Sequence, residues 1–308
     1  MKGAHAYATM PMDELYRWFA GEAEPTSPTW GDLCRWVAAT PTLLTKLDAL
    51  PGLKRQPNLF LGAIRYLDGP LVGGPHFLAW AEANWPAIEA LILSRFTQTN
   101  EPGRCAVLAP VFASLPQPVA LFELGASAGL CLIPDRYPWL DVKGLQVAHR
   151  QGLDANPLDA SDPADARWLR SLVWPGETAR EERLAAALAV AASDPPPVKR
   201  GSLPDDLGEF LAEALRQAQG PVRQAQGPVT PVVFHSATLA YLARPERDEV
   251  VAQIRASGVR WVSFEGPTVV TELRGKVPDD GRPHFVLALD GEPVARCSPH
   301  GGWVDWLR

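Results

Sequence analysis

Several features are scarce or missing in this sequence, and each absence argues against a class of protein. The 308 residues include four cysteines, and no two of them form a CxxC pair. Scattered cysteines of this kind predict free thiols in a reducing compartment. The net charge is −6 and no run of basic residues is longer than a pair, which argues against a DNA- or RNA-binding surface. A small anionic ligand remains compatible with this composition.

Export, membrane and metal signals are also missing. No stretch approaches the roughly 18 uninterrupted apolar residues that predict a membrane-spanning helix. The N-terminal segment MKGAHAYATMPMDELYRWFAGE carries acids early and has no apolar core, so it does not resemble a secretory signal. No group of His, Cys and acidic residues has metal-ligand spacing. We therefore expect a cytoplasmic protein that makes no membrane contact and holds no metal.

The pattern of apolar residues divides the chain into two parts. From about residue 12 to residue 116, amphipathic helical segments are separated by proline and glycine. From Val119 onward, short apolar strands alternate with helical segments, which predicts an α/β fold with parallel strands. Asp290-Gly291 lies between the last two predicted strands and is a hairpin signal. We predict an all-helical N-terminal region (1–116) and a Rossmann-like, mostly parallel sheet with a C-terminal antiparallel hairpin (117–308).

The heptapeptide RQAQGPV occurs twice in tandem, at residues 216–222 and 223–229. Each copy contains Gly-Pro, which excludes a continuous helix. We interpret the repeat as a duplicated insertion in a surface loop, with little ordered structure in its C-terminal half.

A turn of small residues follows the first predicted strand, in PVALFELGASAGLCLIPDRY (118–137). Its spacing is E-x-G-x-x-x-G from Glu123 through Gly125 to Gly129, and a helix is predicted after it. This is neither the GxGxxG of dinucleotide-binding oxidoreductases nor the GxxxxGK[ST] of P-loops. Two interpretations stay open: a tight turn that packs well, or a slim loop that lets a ligand approach the backbone. The acid favours an ammonium group over a pyrophosphate, and S-adenosylmethionine combines an amino group, a carboxylate and a neutral adenosine.

The turn, the alternating elements and the closing hairpin resemble the fold of class I S-adenosylmethionine-dependent methyltransferases. More specifically, the chain resembles the bacterial domain-of-unknown-function family 2332. The segments that carry this resemblance are TQTNEPGR (97–104), ELGASAGL (123–130), DRY (135–137), GLDANPLD (152–159), RWLRSLVWPGETAREERL (167–184), FHSATLAYL (234–242), WVSFE (261–265) and HFVLALDGEPVARCSPHG (284–301).

The resemblance implies a set of cofactor-binding residues. The residues expected to line the methionine part of S-adenosylmethionine are Glu123, Gly125, Ala126, Ser127 and Gly129. Methyltransferases usually have an acid at the end of the second strand, where it binds the ribose. The second predicted strand, GLQVAHR, ends in His149-Arg150, and Asp154 four residues later is the candidate for that role.

Two polar residues end later predicted strands and are candidates for catalysis. His235 is a candidate general base, and its alternative role is a hydrogen bond within the loop. Glu265 is a candidate to orient an acceptor or to pair with an arginine. Ser236 is either a cleft residue or a helix N-cap.

Other polar residues are candidates to line the same cleft. Gln98, Asn100, Glu101 and Arg104 follow an apolar helix, where they either enter the cleft or terminate the helix. Arg150 suits an anionic substrate. His300 either covers the cleft or caps the final strand.

These observations predict transfer of a methyl group from S-adenosylmethionine to a small-molecule acceptor. The alternative is a non-catalytic ligand-binding or regulatory protein that retains the fold. Ser202 favours the alternative, because it stands where an acid or amide after the third strand is expected to contact the adenine. Sequence alone identifies no acceptor.

Overall fold

A computed structural model of the protein describes residues 9–219 and 228–307. The helices of these ranges are α1 (Met12–Ala23), α2 (Pro28–Ala38), α3 (Pro41–Asp48), α4 (Pro57–Tyr66), α5 (Pro75–Ala83), α6 (Trp85–Ser94), α7 (Cys105–Ala113), α8 (Pro163–Ser171), α9 (Thr178–Ser193), α10 (Leu207–Gln219) and α11 (Arg244–Ser257). The strands are β1 (Val119–Leu124), β2 (Val147–Asp154), β3 (Val198–Arg200), β4 (Thr230–Ser236), β5 (Arg260–Glu265), β6 (Phe285–Leu289), β7 (Glu292–Cys297) and β8 (Val304–Trp306).

The chain forms two compact units, each built from two separate segments. The helical unit contains residues 9–99 and 162–185, and the sheet unit contains residues 100–161 and the described residues after 185. The sequence prediction placed residues 100–116 in the helical region and residues 162–185 in the α/β region. In the structure each of these segments belongs to the other unit.

Local capping and proline positions explain where helices of the helical unit begin. α2 starts with Pro28 after Ser27, and the Ser27 hydroxyl accepts a hydrogen bond from the Trp30 N–H at 3.4 Å. Proline is favoured at the first helical position because it has no N–H to leave unpaired. The side chains of Trp168 in α8 and of Leu172, the residue after α8, pack directly over Gly62 of α4. The second segment therefore completes the core of this unit.

The sheet unit confirms the predicted α/β class. Its eight strands run in the order β3-β2-β1-β4-β5-β6-β7-β8. The pairs from β3 to β5 are parallel, whereas β6, β7 and β8 add on antiparallel. The predicted C-terminal hairpin is β6–β7, and the short strand β8 extends it to three strands.

The sheet has two faces, which we name after consecutive residues of β1. Ala120, Phe122 and Leu124 belong to the Leu124 face, which packs against an apolar core from α10 and α11. Because successive side chains of a strand point to opposite faces, Leu121 and Glu123 belong to the Glu123 face. Phe234 of β4 is paired with Glu123 and packs against Phe112 of α7, with 5.0 Å between ring centroids. α7 therefore covers the Glu123 face.

Two predicted elements differ from the structure. No α-helix follows β1; two single 3-10 turns, Leu130–Leu132 and Pro134–Arg136, take its place. The reason is that Gly125, Ser127 and Gly129 all have positive φ (71°, 54° and 70°), which interrupts a right-handed helix. The second strand does not end at Arg150 but continues to Asp154.

The tandem repeat is described only at its two ends. α10 continues into the first copy as far as Gln219, while residues 220–227 lie outside the described residues. In the described ranges, no helix is both long enough and apolar enough to cross a bilayer.

Candidate functional site

The order of the parallel strands marks one position where ligands bind in open α/β sheets. The chain builds β2 and β3 on one side of β1 and then returns to place β4 and β5 on the other side. A crevice forms where the strand order reverses, outside the carboxyl ends of the strands. Here that point lies between β1 and β4, so the turns after Leu124 and Ser236 flank it.

The glycine turn after β1 is packed against the chain itself. A methyl group added at Gly125 would overlap the side chain of Thr238, and one at Gly129 would lie 2.6 Å from Pro196. Thr238 is fixed there because its hydroxyl donates to the Leu124 carbonyl at 3.0 Å. These contacts account for glycine at both positions without a ligand.

Asp154, as the last residue of β2, stands where the resemblance requires an acid. Its carboxylate accepts hydrogen bonds from the Ser127 N–H and the Asn156 N–H, each at 2.7 Å. Burial raises the pKa of Asp154, and these two amide hydrogen bonds oppose that shift. Asp154 thus ties the end of β2 to the glycine turn.

Asn100 and Glu101 also stabilise local backbone. The Asn100 side chain donates to the Ala126 carbonyl at 3.2 Å and accepts from the Leu130 N–H at 3.1 Å, so it joins the two ends of the turn. The Glu101 carboxylate accepts from the Gly103 N–H at 2.8 Å. Of the candidates in 98–104, Gln98 belongs to the helical unit.

Arg104 places a positive charge in the interior of the sheet unit. The residue is 4% exposed. Its guanidinium donates to the Pro299 carbonyl at 3.1 Å, the Ser236 carbonyl at 2.9 Å and the Ser236 hydroxyl at 3.3 Å. All of these partners are neutral, and no carboxylate among the described residues forms a salt bridge with Arg104.

Glu123 places an acid beside this guanidinium. It is 1% exposed, and among the described residues its Oε2 is buried without a hydrogen-bond donor. Burial raises the pKa of Glu123 well above its ordinary value of 4.5, and the nearby Arg104 charge opposes the shift. The Ser127 hydroxyl is likewise buried without a partner within the described ranges. Buried polar groups without partners are costly and require an explanation.

His235 and Glu265 form a second polar cluster. The His235 ring donates from Nδ1 to Glu265 Oε1 at 2.7 Å, and its Nε2 accepts from the Trp261 indole N–H at 3.0 Å. An indole nitrogen can only donate, so Nε2 carries no proton and Nδ1 does. Glu265 Oε1 also accepts from the backbone N–H groups of Thr238 and Leu239, at 2.9 and 3.0 Å. Both ring nitrogens are therefore engaged, and the residue is fully buried.

The two clusters lie on opposite faces of the sheet. The residue of β1 that pairs with His235 is Leu124, which places His235 on the Leu124 face. Ser236, the next residue, lies on the Glu123 face with Arg104. The structure thus brings Glu123, Arg104 and Ser236 together and separates them from the predicted catalytic pair.

Of the two remaining candidates, Arg150 is accounted for by other contacts. Both terminal nitrogens of Arg150 bind the Asp135 carboxylate at 2.8 Å, and one also reaches the Leu132 carbonyl at 2.9 Å. His300 is half-buried in the turn before β8, next to Pro299, whose carbonyl accepts from Arg104.

Sequence reasoning missed two kinds of residue at this edge. Thr238 fills the space at Gly125, and no pattern in the sequence shows which residue will do so. Cys105 and Cys131 lie close together beside Arg104, but their wide separation in the chain conceals the pair. In the described part of the chain, no three His, Cys or acidic residues are arranged to hold a metal ion.

The fold and this edge define an α/β protein with a candidate ligand position between β1 and β4, where the strand order reverses. The chain matches the family model described as an uncharacterized protein conserved in bacteria, domain of unknown function 2332, over residues 72–140 and 138–306. It belongs to that family. Neither a curated protein nor a solved structure matches the chain.

Proposed function

We propose that the sheet unit binds a small zwitterionic ligand that carries an α-amino-acid group. The observation behind this proposal is that Glu123 and Arg104 are both buried without a salt bridge among the described residues, on one face of the sheet where the strand order reverses between β1 and β4. The Glu123 carboxylate would receive the ligand's ammonium group, and the Arg104 guanidinium its carboxylate. Each buried charge would then obtain the counter-charge that the chain does not supply at hydrogen-bond distance.

The unpartnered atoms favour a ligand with hydrogen-bond donors. Glu123 Oε2 and the Ser127 hydroxyl are both buried without a partner among the described residues. An ammonium group can donate to both oxygens, and it would favour the ionised form of Glu123 against the effect of burial. This reading corresponds to the non-catalytic ligand-binding alternative of the sequence analysis.

Methyl transfer from S-adenosylmethionine is the second candidate, because that cofactor contains an α-amino-acid group. The position of Asp154 at the end of β2 and the strand order from β3 to β5 favour it. The Thr238 side chain occupies the space at Gly125, where the resemblance implies the methionine part of the cofactor. The two hydrogen bonds that Asp154 accepts from backbone amides also compete with a ribose. We therefore derive no reaction step through this cofactor.

A thermal-shift series on the full chain distinguishes the two candidates. The probes are a panel of L-amino acids including methionine, the deaminated and esterified forms of any amino acid that binds, S-adenosylmethionine and S-adenosylhomocysteine. A ligand at about 100 times its dissociation constant adds roughly 2.7 kcal/mol of stability. We expect one of the amino acids to raise the melting temperature. Its deaminated form, which lacks the ammonium group, and its esterified form, which lacks the carboxylate, should both fail to do so.

The variants Glu123→Gln and Arg104→Gln should each remove the shift. A shift with S-adenosylmethionine and S-adenosylhomocysteine alone would favour the second candidate. The absence of a shift with every probe at millimolar concentration would contradict both.

A further inference from the structure

Cys105 and Cys131 form a pair of thiols that the proposed ligand contacts do not use. Cys105 is the first residue of α7, and its Sγ lies 3.7 Å from the carbonyl of Leu130, the residue before Cys131. The Sγ of Cys131 lies 3.6 Å from the Glu101 carbonyl. The two thiols are close enough for each to shift the pKa of the other. Each sulfur therefore lies close to the backbone just before the other cysteine in the chain.

The surroundings of the two sulfurs are unequal. The neighbouring Cys105 thiol, the Arg104 guanidinium and Ser236 together lower the pKa of the Cys131 thiol. Burial raises the pKa of Cys105. Since the thiolate is the nucleophilic form, Cys131 is the attacking sulfur and Cys105 is the resolving one.

The other two cysteines provide internal controls. Burial raises the pKa of Cys34 well above its ordinary value and that of Cys297 to about 12. Neither has a second thiol among the groups that shift its pKa. They lack both the thiolate character and the partner that a disulfide requires.

We propose that Cys105 and Cys131 form a reversible disulfide when the folded protein meets a small peroxide. The Cys131 thiolate attacks one peroxide oxygen, the O–O bond breaks, and a sulfenic acid and one water form after protonation. The Cys105 thiol then loses its proton, its sulfur attacks the sulfenic sulfur, and the hydroxyl group leaves as a second water. Two thiols are oxidised by two electrons and one peroxide is reduced to two waters.

The burial of the two thiols limits the size of the oxidant that can reach them. Cys105 and Cys131 are 0% and 1% exposed, which shields them from a bulky disulfide such as oxidised glutathione. Hydrogen peroxide is close to water in size and reaches buried groups through small fluctuations. We therefore expect small peroxides to oxidise the pair faster than bulky disulfides do.

The test treats the folded full chain with hydrogen peroxide, removes the peroxide, alkylates free thiols and maps peptides by mass spectrometry. We expect two of the four thiols to disappear, one linked peptide pair joining residues 105 and 131, and full recovery with dithiothreitol. Cys34 and Cys297 should remain alkylated, and oxidised glutathione should give at least a tenfold slower loss.

Serine variants separate the two roles. In Cys105→Ser, oxidation should stop at a sulfenic acid on Cys131 that dimedone traps. In Cys131→Ser, Cys105 should remain a thiol. Circular dichroism checks that each variant is folded. Survival of all four thiols in the folded chain, a link between any other pair, or equal oxidation in Cys131→Ser would overturn the proposal.

Discussion

Glu123 and Arg104 show how two buried ionisable side chains can remain without a salt bridge. Burying an ionised group costs several kcal/mol unless a counter-charge and hydrogen bonds compensate for it. Arg104 compensates with two backbone carbonyls and a hydroxyl, whereas the Oε2 atom of Glu123 lacks a donor among the described residues. Glu123 therefore lowers the stability of the folded state in its charged form. Because burying ionised Glu123 is costly, we connect this residue with ligand binding.

The raised pKa of Glu123 predicts how stability changes with pH. The folded pKa lies above the ordinary value of 4.5, so the folded state keeps the proton longer than the unfolded state does. Stability is therefore complete below about pH 4.5 and falls as the pH rises towards the folded pKa, by up to about 1.4 kcal/mol per pH unit. Glu123→Gln should lose this dependence. Urea unfolding of both proteins between pH 4.5 and pH 8 measures it, and parallel curves would contradict the assignment.

His235 should act on stability rather than directly on a ligand. His235→Ala leaves the Trp261 N–H without its acceptor and Glu265 with one donor fewer, in a site with no exposure to water. We expect a loss of about 2–4 kcal/mol in chemical denaturation. His235→Gln can supply one donor and one acceptor, and should recover part of the loss. Unchanged stability with lost turnover or binding would instead support the general-base role.

The turn after β1 shows where the sequence predicts well and where it does not. The apolar run Val119–Leu124, the change to small residues and the alternation with helices predict the strand, the turn and the sheet class. The helix predicted next is wrong, because apolar spacing carries no information on the positive φ angles of Gly125, Ser127 and Gly129. To assign each polar residue to a face of the sheet, the register of β4 must be known, and the sequence does not determine it.

The packing of this turn predicts a coupling between Gly125 and Thr238. Gly125→Ala introduces both a strained positive φ and an overlap with Thr238, so it should destabilise the protein by more than strain alone. Gly144→Ala is a matched control, since Gly144 also has a positive φ (83°) and no atom within 4 Å of an added Cβ. In a double-mutant cycle, Thr238→Ala should recover about 1 kcal/mol of the Gly125→Ala loss. Simple additivity, together with lost ligand binding in Gly125→Ala, would indicate that the turn faces a ligand.

At the scale of the whole molecule, the helical unit depends on a segment far along the chain. The Trp168 indole donates to the Phe96 carbonyl at 3.0 Å, and the Trp174 indole to the Asn58 side chain at 3.1 Å. The sequence pattern assigned residues 162–185 to the α/β region, because helices between strands normally cover a sheet. Only the long-range contacts show that residues 162–185 complete the helical unit.

This arrangement predicts that residues 1–99 do not fold alone. Without the 162–185 segment, the faces of α4 that pack against Trp168 and Leu172 are open to water. The isolated 1–99 fragment should show low helicity by far-ultraviolet circular dichroism and no cooperative melting. Addition of a 162–185 peptide should restore helicity, and a Trp168→Ala peptide should do so poorly. Cooperative melting of the fragment by itself would refute the prediction.

The same discontinuity imposes an order on biosynthesis. Because the helical unit needs residues up to 185, the nascent N-terminal segment must wait for roughly 86 further residues (185 minus 99) to be translated. At about 5–20 residues per second, that interval lasts roughly 4–17 seconds. During it, the apolar surfaces of α1–α6 are available to chaperones on the ribosome. Synonymous codons that slow elongation between positions 100 and 185 would prolong this vulnerable period without altering the mature polypeptide.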